Sequence, residues 1–207
     1  MPELNEILLG VPESIANLQL PDPQLRNAYR DEEDRIFWLN DNVENCAEDL
    51  IRAIMMYNKE DKGKPAEDRK PIKIFIDSPG GDVTFMWSII NMIEMSDTPI
   101  WTIDYCTCYS AAAEILASGH KRFAFPGSHV MIHLGSCAYS GDAANVEATK
   151  KYFDNLSKKT VDHLLEKTKI EPKMFKKKTL TDWFLDEKQA LEYGIVDQIV
   201  KSFDEIF

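Results

Sequence analysis

A chain of 207 residues, 44% apolar and 29% charged, is long enough for one domain with a sizeable core. Its 24 Lys and Arg against 35 Asp and Glu leave a formal charge of −11, which repels phosphate backbones and disfavours nucleic-acid binding. The apolar run at 7–11 is short and has no basic flank, so it reads as neither a signal peptide nor a membrane span.

Residues 1–41 hold nine acids and three bases, and Pro2, Pro12, Pro21 and Pro23 interrupt any long helix there. Residues 1–33 therefore read as an arm without a core of its own. Residues 35–39 read as a strand. Val43, Cys46, Ala47, Leu50, Ile51, Ile54 and Met55 recur with helical period, and Asp41 with Glu44 resembles a capping box. The charged stretch 58–70, broken by Gly63 and Pro65, reads as a solvated loop.

A strand at 72–77 leads into the sharp turn Ser78-Pro-Gly-Gly81. Asp82 then caps a helix whose expected buried stripe is Phe85, Met86, Ile89, Ile90 and Ile93. A strand at 100–106 precedes a helix that opens near Ser110 and stops at Gly119. Short strands follow at 121–125 and 129–133. This alternation predicts an α/β fold with βαβ crossovers. Beyond a small, polar stretch at 134–143, residues 144–168 form one long helix with Tyr152, Phe153, Leu156, Thr160 and Leu164 on one face, suited to projecting toward a partner. Six lysines between 167 and 178 read as a solvated basic edge. Asp182-Trp-Phe-Leu185 leads into a short helix at 187–193, and 195–200 closes as a strand. The four cysteines, Cys46, Cys106, Cys108 and Cys137, lack metal or redox spacing and read as free buried thiols of a reducing compartment.

Ser110 stands where a strand meets a helix N-terminus, whose free N–H groups suit a developing oxyanion. The commoner role of such a serine is an N-cap, and spacing alone favours it. The glycines at 80 and 81 allow a close backbone approach. Of four histidines, His133 ends an apolar strand before a small-residue loop, a suitable place for a general base. His129 and His133 lie too far apart along a strand to share a metal, and His120 and His163 read as surface residues. Among 35 acids, Asp182 stands out by its neighbours Trp183-Phe184-Leu185, although capping the following helix is its simpler role.

Four stretches in register, Ile74 to Val83, Ser110 with Ala117-Ser-Gly119, Ser128 to His133 and Ala190 to Ile199, resemble the Clp protease proteolytic subunit family, ClpP, within the ClpP/crotonase fold. The resemblance spans residues 34–200 and implies a peptidase domain over 34–207. It implies Ser110 as nucleophile, His133 as base and Asp182 as orienting acid. It places the oxyanion donors at the backbone N–H groups of Gly81 and Ala111, and substrate contacts at Gly80, Leu134 and Gly135. It further implies a serine endopeptidase acting on unfolded polypeptides or peptides inside heptameric or tetradecameric homo-oligomeric rings. Residues 144–168 would be the handle helix, and the location cytoplasmic. The family's peptidase needs no metal or cofactor; ATP is used only by a partner AAA+ unfoldase. Neither a membrane nor a nucleic-acid partner is expected.

The chain departs from the family's usual pattern around the serine, after His133, at Leu180-Thr181, in loop 58–70 and at Glu114. The family favours an apolar residue at this last position, and the sequence leaves open whether Glu114 is exposed or paired with Lys121. Three other readings stay open: a catalytically silent ring subunit acting as scaffold or regulator, a crotonase-like acyl-CoA enzyme, and a serine enzyme using Lys121 as base.

Overall fold

The computed structural model describes residues 26–207. The chain divides into two units, residues 1–34 and 35–207. In the first, the described part is helix α1 (Arg26–Glu33); the rest of the expected arm lies outside the described residues.

The second unit alternates strand and helix as the apolar periodicity predicts. Its elements are β1 (Ile36–Leu39), α2 (Val43–Glu60), β2 (Ile72–Ser78), α3 (Val83–Glu94), β3 (Ile100–Tyr109), α4 (Ala111–Ser118), β4 (Lys121–Ala124) and β5 (His129–Ile132). Then follow α5 (Ala143–Lys167), α6 (Pro172–Lys178), β6 (Trp183–Asp186), α7 (Glu187–Glu192) and β7 (Gln198–Ile199). Strands β1-β2-β3-β4-β7 pair in that order, all parallel. A strand in a parallel sheet is covered on both faces and so reads as a continuous apolar run. In β2, Ile74 and Ile76 enter the larger core with Met86, Ile89, Ile90 and Ile93 of α3. Phe75, pointing to the other face, joins Ile36, Ile103, Phe123, Val200 and Ile206.

One strand serves two ladders. Residues 101–104 of β3 pair with β4, whereas residues 107–109 pair with β5. β5 in turn pairs antiparallel with β6, so a small leaf continues the sheet beyond its main body.

The structure corrects several expectations. Residues 183–186 form a strand: Trp183 and Leu185 are buried while Phe184 and Asp186 are exposed, the alternation of a half-buried ladder. The closing strand shrinks to Gln198–Ile199. Phe85 is exposed, and Trp87 is buried on α3 instead. The capping box at Asp41 and Glu44 does not form; Glu44 accepts from the backbone N–H of Asp82 at 3.0 Å, tying α2 to the 78–81 turn.

Stretch 58–70 is not a plain solvated loop. Helix α2 runs on to Glu60, and Asp61, 1% exposed, accepts two hydrogen bonds from Arg35 at 2.6 and 2.9 Å. Lys64 at 2.7 Å and the Thr98 hydroxyl at 3.0 Å complete its surroundings. Of the cysteines, Cys108 is buried, but Cys106 and Cys137 are exposed. Among the described residues no helix is long and apolar enough to cross a membrane.

Candidate active site

The register of the small leaf brings three polar side chains together. β5 and β6 pair Val130 with Leu185, Met131 with Phe184 and Ile132 with Trp183. Extending that antiparallel ladder by one step sets His133 opposite Asp182. On the other side of β5, Tyr109 pairs with Met131, and the Ser110 N–H donates to the Met131 carbonyl at 2.8 Å. Ser110 thus ends β3 beside the end of β5.

The contacts follow from this placement. His133 Nε2 lies 2.7 Å from Ser110 Oγ, and His133 Nδ1 lies 3.3 Å from Asp182 Oδ1. Neither flanking residue takes the simpler role its position allowed. Ser110 precedes α4 but its side chain makes no capping bond. The short helix α7 is capped by Asp186, whose carboxylate accepts from the N–H groups of Lys188 and Gln189. The side chains of Ser110 and Asp182 are therefore available to His133, with Asp182 half exposed to solvent.

Ser110 holds φ 54° and ψ −120°, a left-handed conformation that non-glycine residues rarely adopt and that costs energy to maintain. The neighbouring turn is built to accommodate it. Gly80, at φ 101°, lies so close that a Cβ there would stand 2.6 Å from the Tyr109 carbonyl and 2.9 Å from Ser110 Cβ. The Gly80 N–H donates to Ser78 Oγ at 3.1 Å, and its carbonyl accepts from Val43 at 2.9 Å. Ser78 Oγ itself donates to the Asp41 carbonyl at 2.6 Å. Asp77, one residue earlier, accepts from the Thr107 hydroxyl at 2.5 Å, locking the two strand ends together.

A cavity of about 470 Å³ opens beside Ser110. Gly81, Ala111, His133, Leu134 and Gly135 line it, while Gly80 does not; Gly80 packs behind the serine turn. Ala111 opens helix α4, so its N–H has no intrahelical acceptor. Further walls come from Met86, Ile132 and Leu156, which the sequence marks as core or helix face, from Val161, which it does not single out, and from Phe175, buried within the stretch read as a solvated basic edge.

Two polar residues sit differently from expectation. Glu114 is buried, 8% exposed, and lines the cavity one helical turn beyond Ser110. Its neighbour is not Lys121 but His163, at 3.9 Å. Burial pushes the Glu114 carboxyl above the usual carboxylate range, with His163 partly offsetting it. His163 is correspondingly not a surface residue: its side chain is 12% exposed and packs edge-on against Trp87. Lys121 lies over the rings of Trp101 and Phe123, at the end of β3 remote from Ser110. Among the described residues no three His, Cys, Asp or Glu side chains gather as a metal site would require.

Comparison with known proteins agrees with this architecture. The family model described as Clp protease matches residues 26–203. The ATP-dependent Clp protease proteolytic subunit 2 of Treponema denticola is 36% identical over 139 residues, 66% of this chain and 70% of that protein. The ATP-dependent Clp protease proteolytic subunit of Carsonella ruddii is 32% identical over 169 residues, 81% of this chain and 84% of that protein. With a parallel α/β sheet, a helix-opening serine beside a histidine, and a family match across nearly the whole described chain, the protein belongs to the Clp protease family.

Proposed function

We propose that this chain is a serine endopeptidase that cleaves unfolded polypeptides. The observation that carries the reading is the 2.7 Å contact between His133 Nε2 and Ser110 Oγ, with Asp182 on the other ring nitrogen at 3.3 Å. In the proposed reaction Ser110 Oγ attacks the scissile carbonyl and passes its proton to His133 Nε2. The ring then protonates the leaving amine as the C–N bond breaks. Water, deprotonated by the same nitrogen, hydrolyses the acyl-serine ester and restores the hydroxyl. Asp182 holds the Nδ1–H tautomer and stabilises the imidazolium. The N–H groups of Gly81 and Ala111 receive the oxyanion, and Leu134 and Gly135 flank the peptide.

Serine, histidine and carboxylate supply the nucleophile, the base and the orienting group, so the proposed hydrolysis calls on no cofactor. The names of the two relatives support an ATP-driven partner and assembly as one subunit among several. We further propose, from the family resemblance of the sequence, a cytoplasmic homo-oligomeric ring of seven, single or stacked, with an AAA+ unfoldase feeding it. The side chains stand in bonding order, which argues against a silent scaffold subunit.

A fluorophosphonate probe tests the chemistry: it is expected to label the wild type and not Ser110→Ala. Equal labelling of both proteins would sink the reading. Native mass measured alongside peptide hydrolysis tests the assembly, with an active heptamer or 14-mer expected.

A further inference from the structure

Asp182 reaches His133 from the edge of the small leaf. β6 is four residues long, and among the described residues it pairs with β5 alone. Its inward face is secured. Trp183 and Leu185 are buried in the larger core, and the Trp183 ring meets Tyr193 edge-on at 5.2 Å. Phe184 points the other way and is 56% exposed. Asp182 comes just before the strand and is half exposed, so its place depends on how β6 is held.

The outward face carries a cross-link. Tyr109 of β3 pairs with Met131 of β5, and Met131 pairs with Phe184 of β6. The three residues form one row across the leaf, with their side chains on the same face. Met131, in the middle, is buried, while the rings of Tyr109 and Phe184 meet with centroids 5.7 Å apart and planes at 85°. This is the edge-to-face arrangement that aromatic pairs prefer. Strands two apart in a sheet lie about 9–10 Å from each other. The rings therefore reach across β5 and join β6 to β3 directly.

Both ends of this link adjoin the chemistry. Tyr109 precedes Ser110, and its carbonyl lies against the Gly80 turn. Phe184 follows Asp182 by two residues, and Met131 precedes His133 by two, the spacing that returns a strand to the same face. Serine, histidine and aspartate thus all stand within two residues of one row. Backbone ladders tie β3 to β5 and β5 to β6. The aromatic pair closes the third side of that triangle.

We propose that Tyr109 and Phe184 are positioning residues that act through Asp182: their ring contact holds β6 to the serine strand and so keeps the Asp182 carboxylate on His133. The proposal rests on the serine-peptidase reading above and deepens it. An aliphatic side chain at either position fills space but loses the edge-to-face contact across β5.

The test measures peptide hydrolysis and the rate of fluorophosphonate labelling in the full chain. Phe184→Leu and Tyr109→Leu are each expected to lower kcat on the order of tenfold, with KM little changed. Phe184→Tyr keeps a ring at a half-exposed position and is expected to recover most of the rate. The Asp182→Asn background separates positioning from a general structural role. There Phe184→Leu should slow labelling no further, because the group it positions is gone. A general structural role would lower the rate by the same factor in both backgrounds. That result, or an unchanged kcat in both leucine variants, would overturn the proposal while wild-type labelling and hydrolysis stand. A wild type that neither labels nor hydrolyses would instead overturn the peptidase reading together with this inference.

Discussion

His133 and Asp182 face each other as the next step of an antiparallel ladder whose last pair is Ile132 and Trp183. Their 3.3 Å approach is therefore set by backbone register, not by a flexible loop that happens to close. The same leaf fixes Ser110, through its N–H bond to Met131. Register of this kind is strongly specified where one face is buried, because a one-residue slip turns every side chain over.

The first prediction concerns Asp182. In the proposed reaction it holds one tautomer of His133, so Asp182→Asn should lower kcat by on the order of 10²–10⁴-fold. KM should change little, since Asp182 lies behind the histidine and not on the cavity wall. Steady-state peptide hydrolysis measures this. An unaltered kcat would remove Asp182 from the reaction.

Gly80 gives the second. An added Cβ would meet the Tyr109 carbonyl and Ser110 Cβ inside contact distance, at a φ that alanine adopts with strain. Gly80→Ala should cost about 1–3 kcal/mol of stability. It should also displace Ser110 enough to lower kcat on the order of 100-fold. Urea unfolding and peptide hydrolysis read the two effects separately.

A third prediction follows from the buried pair Arg35 and Asp61. Removing one partner strands the other, so Asp61→Ala should cost about 3–5 kcal/mol. Bonds from Arg35, then Lys64 and Thr98, hold the Asp61 carboxyl far below its usual range despite burial. Its stabilisation is therefore complete above the unfolded value of about 4 and is lost as pH falls through the depressed folded value. Urea midpoints taken from pH 7 down to pH 2 should drop steeply in the wild type and less steeply in Asp61→Asn.

Asp104 has the opposite sign. Among the described residues neither of its carboxylate oxygens has a hydrogen-bond partner, and burial pushes it up to about 7, with the nearby Ser128 hydroxyl and Cys108 thiol only partly offsetting. An acid with a raised folded pKa loses stability as pH climbs from its unfolded value toward the folded one. Asp104→Asn should thus gain about 1–3 kcal/mol over the wild type at pH 8. The gain should shrink as pH falls toward 4. A gain independent of pH would show that packing, not charge, is responsible.

The parallel body of the fold was legible because its strands are buried on both faces and its helices carry plain apolar stripes, as in Ile72–Ser78 and Val43–Glu60. Strand β6 was not, since four residues with two aromatics give alternation too brief to separate from a run into a helix. Ser110, His133 and Asp182 were reachable by resemblance; from the residues alone, capping explained two of them as well. The place of His163 on the long helix points to the surface. Its burial depends on Trp87, 76 residues earlier, which packs against its ring. Glu44 shows the same limit: its partner is the backbone of Asp82 and not its own helix N-terminus.

The double duty of β3 constrains how the chain can change length over evolution. Residues 101–104 are fixed by β4 and residues 107–109 by β5. An inserted or deleted residue between them would leave the first ladder intact and invert the second, carrying Ser110 to the wrong side of the leaf. Insertions and deletions should therefore be purged from that interval and collect where no ladder passes, at residues 62–69, between the buried Asp61 and the Lys70 carbonyl that Arg35 holds, and at 134–142. Loop extension there adds little entropic cost. Since 134–142 contributes to the cavity wall, it is also where a lineage can reshape that cavity without disturbing Ser110 and His133 beside it.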